Sequence, residues 1–180
     1  PASYPNVISV AAIDEDDIRA DFTSSGSTVD LAAPGVDILT TTEFQFNYET
    51  VNGTSFSAPI VAGAAALLRA HYPNFSARQI AQQLRISANP SIYELDENRI
   101  RTLGKGKLDI FAALTNSKPG IIYENISITN TRGNENIQPG DTIMIIGDFT
   151  NLLFASSPKL EAKITAENRR SSITELRNSI

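Results

Sequence analysis

Residues 52–59 read NGTSFSAP and run without a break into IVAGAAALL, residues 60–68. A turn of small residues opens into an alanine-rich run, and a helix is expected over residues 55–70. Pro59 falls in its expected first turn, where a missing N–H is tolerated, and Tyr72-Pro73 closes it. A serine at such a start lies beside unpaired backbone N–H groups and the positive end of the helix dipole. The plain reading is a Ser/Thr cap on a buried helix. The chemical reading is that the same N–H groups stabilise an oxyanion when the Ser55 hydroxyl attacks a carbonyl. Gly53 lets backbone and substrate come close, and the alanines with Gly63 let the helix pack deep.

Upstream, residues 7–13 (VISVAAI) are nearly continuous apolar and β-branched, the pattern of a strand buried on both faces of a parallel sheet. Residues 14–17 form a solvated turn, and residues 24–27 a second loop. Short strands are expected at 29–33 and 36–41, split by Pro34-Gly35. Downstream, a second helix is expected over residues 77–87. Ser76 and Gln79 form a capping box before it, and Ala77, Ile80, Ala81, Leu84 and Ala88 make one apolar stripe. A third, short helix is expected at 107–114 with Leu108, Phe111 and Leu114 inward.

The character changes at Ser117-Lys118-Pro119-Gly120, read as a linker. Beyond it, residues 121–129, 142–149 and 160–165 are β-rich, separated by turns at Arg132-Gly133-Asn134 and Gln138-Pro139-Gly140-Asp141. These strands suggest the start of a β-sandwich and are too few to close one. The polar stretch 168–180 has no stop signal. The chain begins Pro1-Ala2-Ser3, so both ends are expected to be truncations, and the missing signal peptide carries no weight.

A length of 180 residues allows one domain or one and a part. Lys+Arg number 15 against 20 Asp+Glu, with no basic stripe, which argues against nucleic acid. There is no cysteine, so disulfides and thiolate metal sites are excluded. The longest apolar run, residues 58–68, is too short to span a bilayer.

GTSFSAP followed by IVAGAAALL resembles the nucleophile motif of the subtilisin-like serine peptidases. The resemblance is ordered along the chain: YPNVISVAAID, RADFTSSG and VDLAAPGVDILTT are similar to the family's segment before the serine, and HYPNFSARQI and GKGKLDIFAAL to its last two helices. It covers residues 1–115. It implies an α/β fold: residues 1–117 as the C-terminal part of a subtilisin-like three-layer domain with a mostly parallel sheet, and residues 118–180 as a partial β-sandwich-like domain. It implies that Ser55 is the catalytic nucleophile of a Ser-His-Asp triad, the chemistry known for subtilisin itself. Ser55 N–H would be one oxyanion donor, with the Thr54 hydroxyl assisting. Phe56 stands where many relatives carry methionine, which would make the site less sensitive to oxidation. The implied partner is a protein or peptide substrate, and the implied setting a secreted, bacterial endopeptidase without a cofactor.

The family's D-T/S-G turn and H-G-T/S-x-V-A-G motif do not occur in these residues. Asp14, Asp16, Asp17, Asp21, Asp30 and Asp37 match neither and read as turn and surface carboxylates. The single histidine, His71, follows Ser55 by sixteen positions, about 24 Å along a helix. A general base must lie within about 3 Å, or one water further. The chain is therefore expected to be inactive alone and to depend on an upstream part of the same catalytic domain. The alternative is a non-catalytic subtilisin-like binding or structural module. An α/β-hydrolase would need G-x-S-x-G and is excluded.

Three glycosylation sequons begin at Asn52, Asn74 and Asn125. A glycan on Asn52 would block Ser55, so that sequon is read as unused, in keeping with a bacterial origin. The stretch GNENIQPGDTI, residues 133–143, resembles turns of β-sandwich domains appended to secreted bacterial proteins. Asn134, Glu135 and Asp141 could offer oxygens to structural Ca²⁺. An inter-strand turn is the preferred reading, and no metal is assigned.

Overall fold

A computed structural model describes residues 2–43, 47–94 and 102–155. Two four-residue strands, β1 (Val10–Ile13) and β2 (Leu31–Pro34), pair in parallel, Val10 opposite Leu31 and Ile13 opposite Pro34. Ala11, Ala12, Ile13, Leu31, Ala32 and Ala33 are all buried. This is the two-sided burial that a continuous apolar run demands. β1 is shorter than the expected residues 7–13: Val7 is exposed and its N–H bonds back to Tyr4 O in a turn.

On the other edge of β2, Lys107 forms a parallel bridge to Ala32. Ala32 N–H donates to Gly106 O at 2.8 Å and Leu108 N–H to Ala32 O at 2.7 Å. This corrects the expected helix at 107–114. β2 has backbone groups on both edges to satisfy, and residues 106–108 satisfy the second edge in extended form. The third helix, labelled α3 below, starts only at Ile110, where Asp109 Oδ1 accepts the Ala112 N–H at 2.8 Å. Phe111, expected inward, is 77% exposed, because the later start turns Ala113 to the core instead.

β3 (Ile38–Thr41) and β4 (Tyr48–Val51) form an antiparallel ribbon just before the serine turn. β3 falls within the expected strand 36–41. β4 was not expected, since Tyr-Glu-Thr-Val is too short and too polar to announce a strand. α1 (Thr54–His71) lies across β1 and β2, and α2 (Ala77–Ser87) and α3 (Ile110–Thr115) pack on it and on each other. Leu31 from the sheet, Val61, Ala64 and Leu68 from α1, Ile80 and Leu84 from α2 and Ala113 from α3 form one core. Burying each of the three leucines contributes about 1.5–3 kcal/mol.

α2 has the bounds expected from its capping box. Ser76 Oγ accepts the Gln79 N–H and Gln79 Oε1 accepts the Ser76 N–H. The periodicity missed Gln83, which is fully buried and donates to Ala113 O at 2.8 Å and Asn116 O at 2.7 Å. It thereby satisfies carbonyls at the end of α3 that no helical N–H reaches.

β5 (Ile121–Asn130) and β6 (Ile143–Asn151) form an antiparallel hairpin, close to the expected segments 121–129 and 142–149. The strand expected at 160–165 lies outside the described residues. The hairpin is tied to α2. Arg78 pairs with Glu124, Gln79 Nε2 donates to Leu152 O at 2.7 Å, and Phe154 meets the stacked Tyr72 and Phe75 rings at 5.9 and 5.8 Å.

Candidate active site

The end of β2 and the start of α1 meet at Gly35 and Gly53. Gly35 N–H donates to Ile13 O at 2.9 Å, extending the β1–β2 ladder by one residue, and Gly35 O accepts the Gly53 N–H at 2.8 Å. The turn carrying Thr54 and Ser55 is thereby tied to the C-terminal end of the parallel strands. Two residues on, Asp37 N–H donates to Asn52 Oδ1 at 2.6 Å.

Ser55 is the second residue of α1 and is exposed; Thr54, the first, is half-buried. Gly53 caps the helix without a side chain, so the Ser55 hydroxyl is no N-cap and the capping explanation of this serine falls away. The helix begins at Thr54, so Pro59 is its sixth residue and lies beyond the expected first turn. A proline has no N–H for the carbonyl four residues back. That carbonyl belongs to Ser55, which therefore receives no helical N–H from four residues on.

Ser57 points the other way. It is fully buried, and its Oγ has no hydrogen-bond partner among the described residues. Phe56, between the two serines, is half-buried.

His71 is the last residue of α1, exposed, with its ring edge-on to Tyr72 at 4.5 Å. Because α1 is one unbroken helix, Ser55 and His71 lie at opposite ends of it, about 24 Å apart. Three of the six aspartates before Ser55, Asp14, Asp17 and Asp30, have structural partners. Asp14 Oδ1 accepts the N–H groups of Asp16 and Ile18, Asp17 pairs with Lys107, and Asp30 holds Arg85 at 2.7 Å and the Ser9 N–H at 2.8 Å. The Asp17 and Asp30 pairs are partly buried, more embedded than surface carboxylates. Their partners, 90 and 55 residues away along the chain, left no local signal.

In the β5–β6 turn, Asp141 Oδ2 accepts from Gln138 N–H and Asn130 Nδ2, and Asn134 Oδ1 accepts from Asn136 N–H. These oxygens bind the turn itself. Among the described residues no group of three or more His, Cys, Asp or Glu side chains converges to hold a metal ion.

A sequence model of the Subtilase family matches residues 1–137, most of the chain. The chain belongs to the subtilase family. The match runs past residue 117 through β5 and into the turn that follows. Subtilisin DY of Bacillus licheniformis is 39% identical over 116 residues, covering 63% of this chain and 39% of that protein. The thermostable alkaline protease of Halalkalibacterium halodurans is 38% identical over 97 residues, covering 52% of this chain and 27% of that protein. Among solved structures, the prenylagaramide maturation protease PagA superposes with a TM-score of 0.57 at 33% identity, over 63% of this chain and 43% of that one. MycP1 without its N-terminal propeptide does so at 0.55 and 30%, over 67% and 40%. This subtilase chain thus spans about two fifths or less of the relatives named here. Both sequence relatives are bacterial, and no helix among the described residues is long and apolar enough to cross a membrane.

Proposed function

We propose that the protein carrying this chain is a secreted bacterial serine endopeptidase, with Ser55 as its nucleophile. One observation carries the reading: Ser55 stands exposed in the first turn of α1, at the C-terminal end of β2, with its hydroxyl free of a capping role. Ser55 Oγ attacks the scissile carbonyl carbon while a histidine imidazole accepts its proton. The carbonyl oxygen takes the negative charge, and the Ser55 N–H and Thr54 hydroxyl donate to it. The imidazolium passes that proton to the amine nitrogen as the C–N bond breaks, leaving an acyl-serine. Water then attacks the acyl carbon while the imidazole accepts its proton, and the imidazolium protonates Ser55 Oγ as the C–O bond to the serine breaks, releasing the carboxylic acid.

The histidine and the aspartate come from an upstream part of the catalytic domain, outside these 180 residues. His71 is too far away to serve. Residues 1–117 form the C-terminal portion of the peptidase domain, and the β5–β6 hairpin opens a second, β-sandwich-like unit from residue 118, strapped to α2.

The test is covalent labelling of the whole protein with a fluorophosphonate, with the modified residue mapped by mass spectrometry. Labelling at Ser55 that disappears in Ser55→Ala is the expected result, and the 180-residue chain alone should not label. A whole protein that folds, leaves Ser55 unlabelled and hydrolyses no peptide would be a non-catalytic module of the same fold.

A further inference from the structure

Gly35 does not owe its identity to an unusual backbone angle; it is absent from the positive-φ glycines. What it lacks is room. A Cβ built on it would overlap Ser57 Oγ, come within 2.6 Å of Ala12 Cβ and lie 3.1 Å from Gly53 O. The end of β2 is thus pressed against the first turn of α1, with the buried Ser57 hydroxyl as the point of contact. The Gly53 N–H to Gly35 O bond closes the same junction from the backbone, and the Asn52 Oδ1 bond to Asp37 N–H closes it from the exposed side. These ties flank Thr54 and Ser55 on both sides in sequence.

We propose that Asn52 and the Gly35–Ser57 contact are positioning elements for Ser55. They set the height and tilt of the first turn of α1 over the end of β2, and with it the direction of the Ser55 hydroxyl and N–H. The inference rests on Ser55 being the nucleophile. Asn52, Gly35 and Ser57 are positioning residues. Each acts through the backbone of residues 53–55, where a displacement of about 1 Å is enough to cost up to about a hundredfold in rate.

Asn52 is exposed, so replacing it leaves the core intact. In the whole protein, Asn52→Ala removes the acceptor for Asp37 N–H, and Asn52→Asp keeps one. The readouts are kcat, KM and the rate of fluorophosphonate labelling at Ser55. Asn52→Ala should lower kcat and the labelling rate about tenfold with KM within about twofold, and Asn52→Asp should recover most of the loss. Gly35→Ala should lower both rates about a hundredfold, with partial recovery when Ser57→Ala and Ala12→Gly relieve the overlap. If Gly35→Ala does not fold, the Asn52 pair decides. Wild-type labelling and turnover in Asn52→Ala would overturn the proposal while leaving Ser55 as nucleophile. A wild-type protein that never labels at Ser55 would overturn both readings.

Discussion

Ser55 and His71 share one helix and stand at its two ends, the serine in its first turn and the histidine at its last residue. No rotamer closes a gap of about 24 Å. In the whole protein, His71→Ala should therefore leave kcat within about twofold of wild type. Ser55→Ala should lower it by on the order of 10⁶ with substrate binding retained, a figure that belongs to subtilisin itself and is not deduced from this chain's geometry. Comparable losses from both substitutions would mean that His71 reaches the site in an arrangement other than this one.

Gln83 has its amide buried between α2 and the end of α3, with two carbonyls depending on it. Gln83→Ala leaves both without a donor and should destabilise the whole protein by about 2–3 kcal/mol. The neighbouring Gln82 reaches Ile121 O only at 3.4 Å, so Gln82→Ala should cost well under half of that. Denaturant unfolding of the two variants makes the comparison, and equal losses would show that the Gln83 bonds contribute nothing specific.

Gly104 holds a left-handed backbone, φ 77°, where a Cβ would overlap the Asp30 carbonyl and sit 2.6 Å from Leu31 N. Space and backbone angle oppose a side chain together. Gly104→Ala should cost at least about 2 kcal/mol and loosen residues 105–108 from β2. Gly133, also left-handed but with nothing near its would-be Cβ, should lose only about 1 kcal/mol on the same change. Thermal melts of both variants test the ranking.

Phe154 reaches from the end of the β5–β6 hairpin to the Tyr72–Phe75 stack. Phe154→Ala removes two ring contacts of about 0.5–1.5 kcal/mol each. Amide exchange should accelerate in Ile121–Asn130 and Ile143–Asn151 and change little in α1. Uniform acceleration across both would show that hairpin and helices unfold as one unit.

Asp141 has its carboxyl held below the ordinary aspartate value of 3.8, first by the Gln138 backbone N–H and second by the Asn130 side chain, with slight burial opposing. A lowered folded-state pKa means that the carboxylate favours the folded turn at pH values above the unfolded value. That contribution fades as the pH falls from about 3.8 through the lower folded value. Carboxyl titration by NMR should place the Asp141 midpoint below those of exposed aspartates, and Asn130→Ala should raise it. A midpoint unmoved by Asn130→Ala would remove that side chain as a cause.

The local sequence was enough wherever a residue's neighbours in the chain decide its conformation. The Ser76–Gln79 box placed α2, the small-residue run placed α1 to within a residue, and continuous apolar residues marked β1 as buried on both faces. The exposed place of Ser55 at the start of α1 was legible for the same reason, since a glycine-threonine-serine turn entering such a helix is a local pattern. What only the tertiary structure decided lies between segments far apart in sequence. Residues 106–108 are extended because β2 has a second edge to satisfy, so the third helix starts late and turns Phe111 outward. Gln83 is buried because α3 ends over it. Gly35 is a glycine because Ser57 and Ala12 leave no space for a side chain. Hydrogen bonding and excluded volume across the fold have no signature at a single position, and they determine how the Ser55 turn is held.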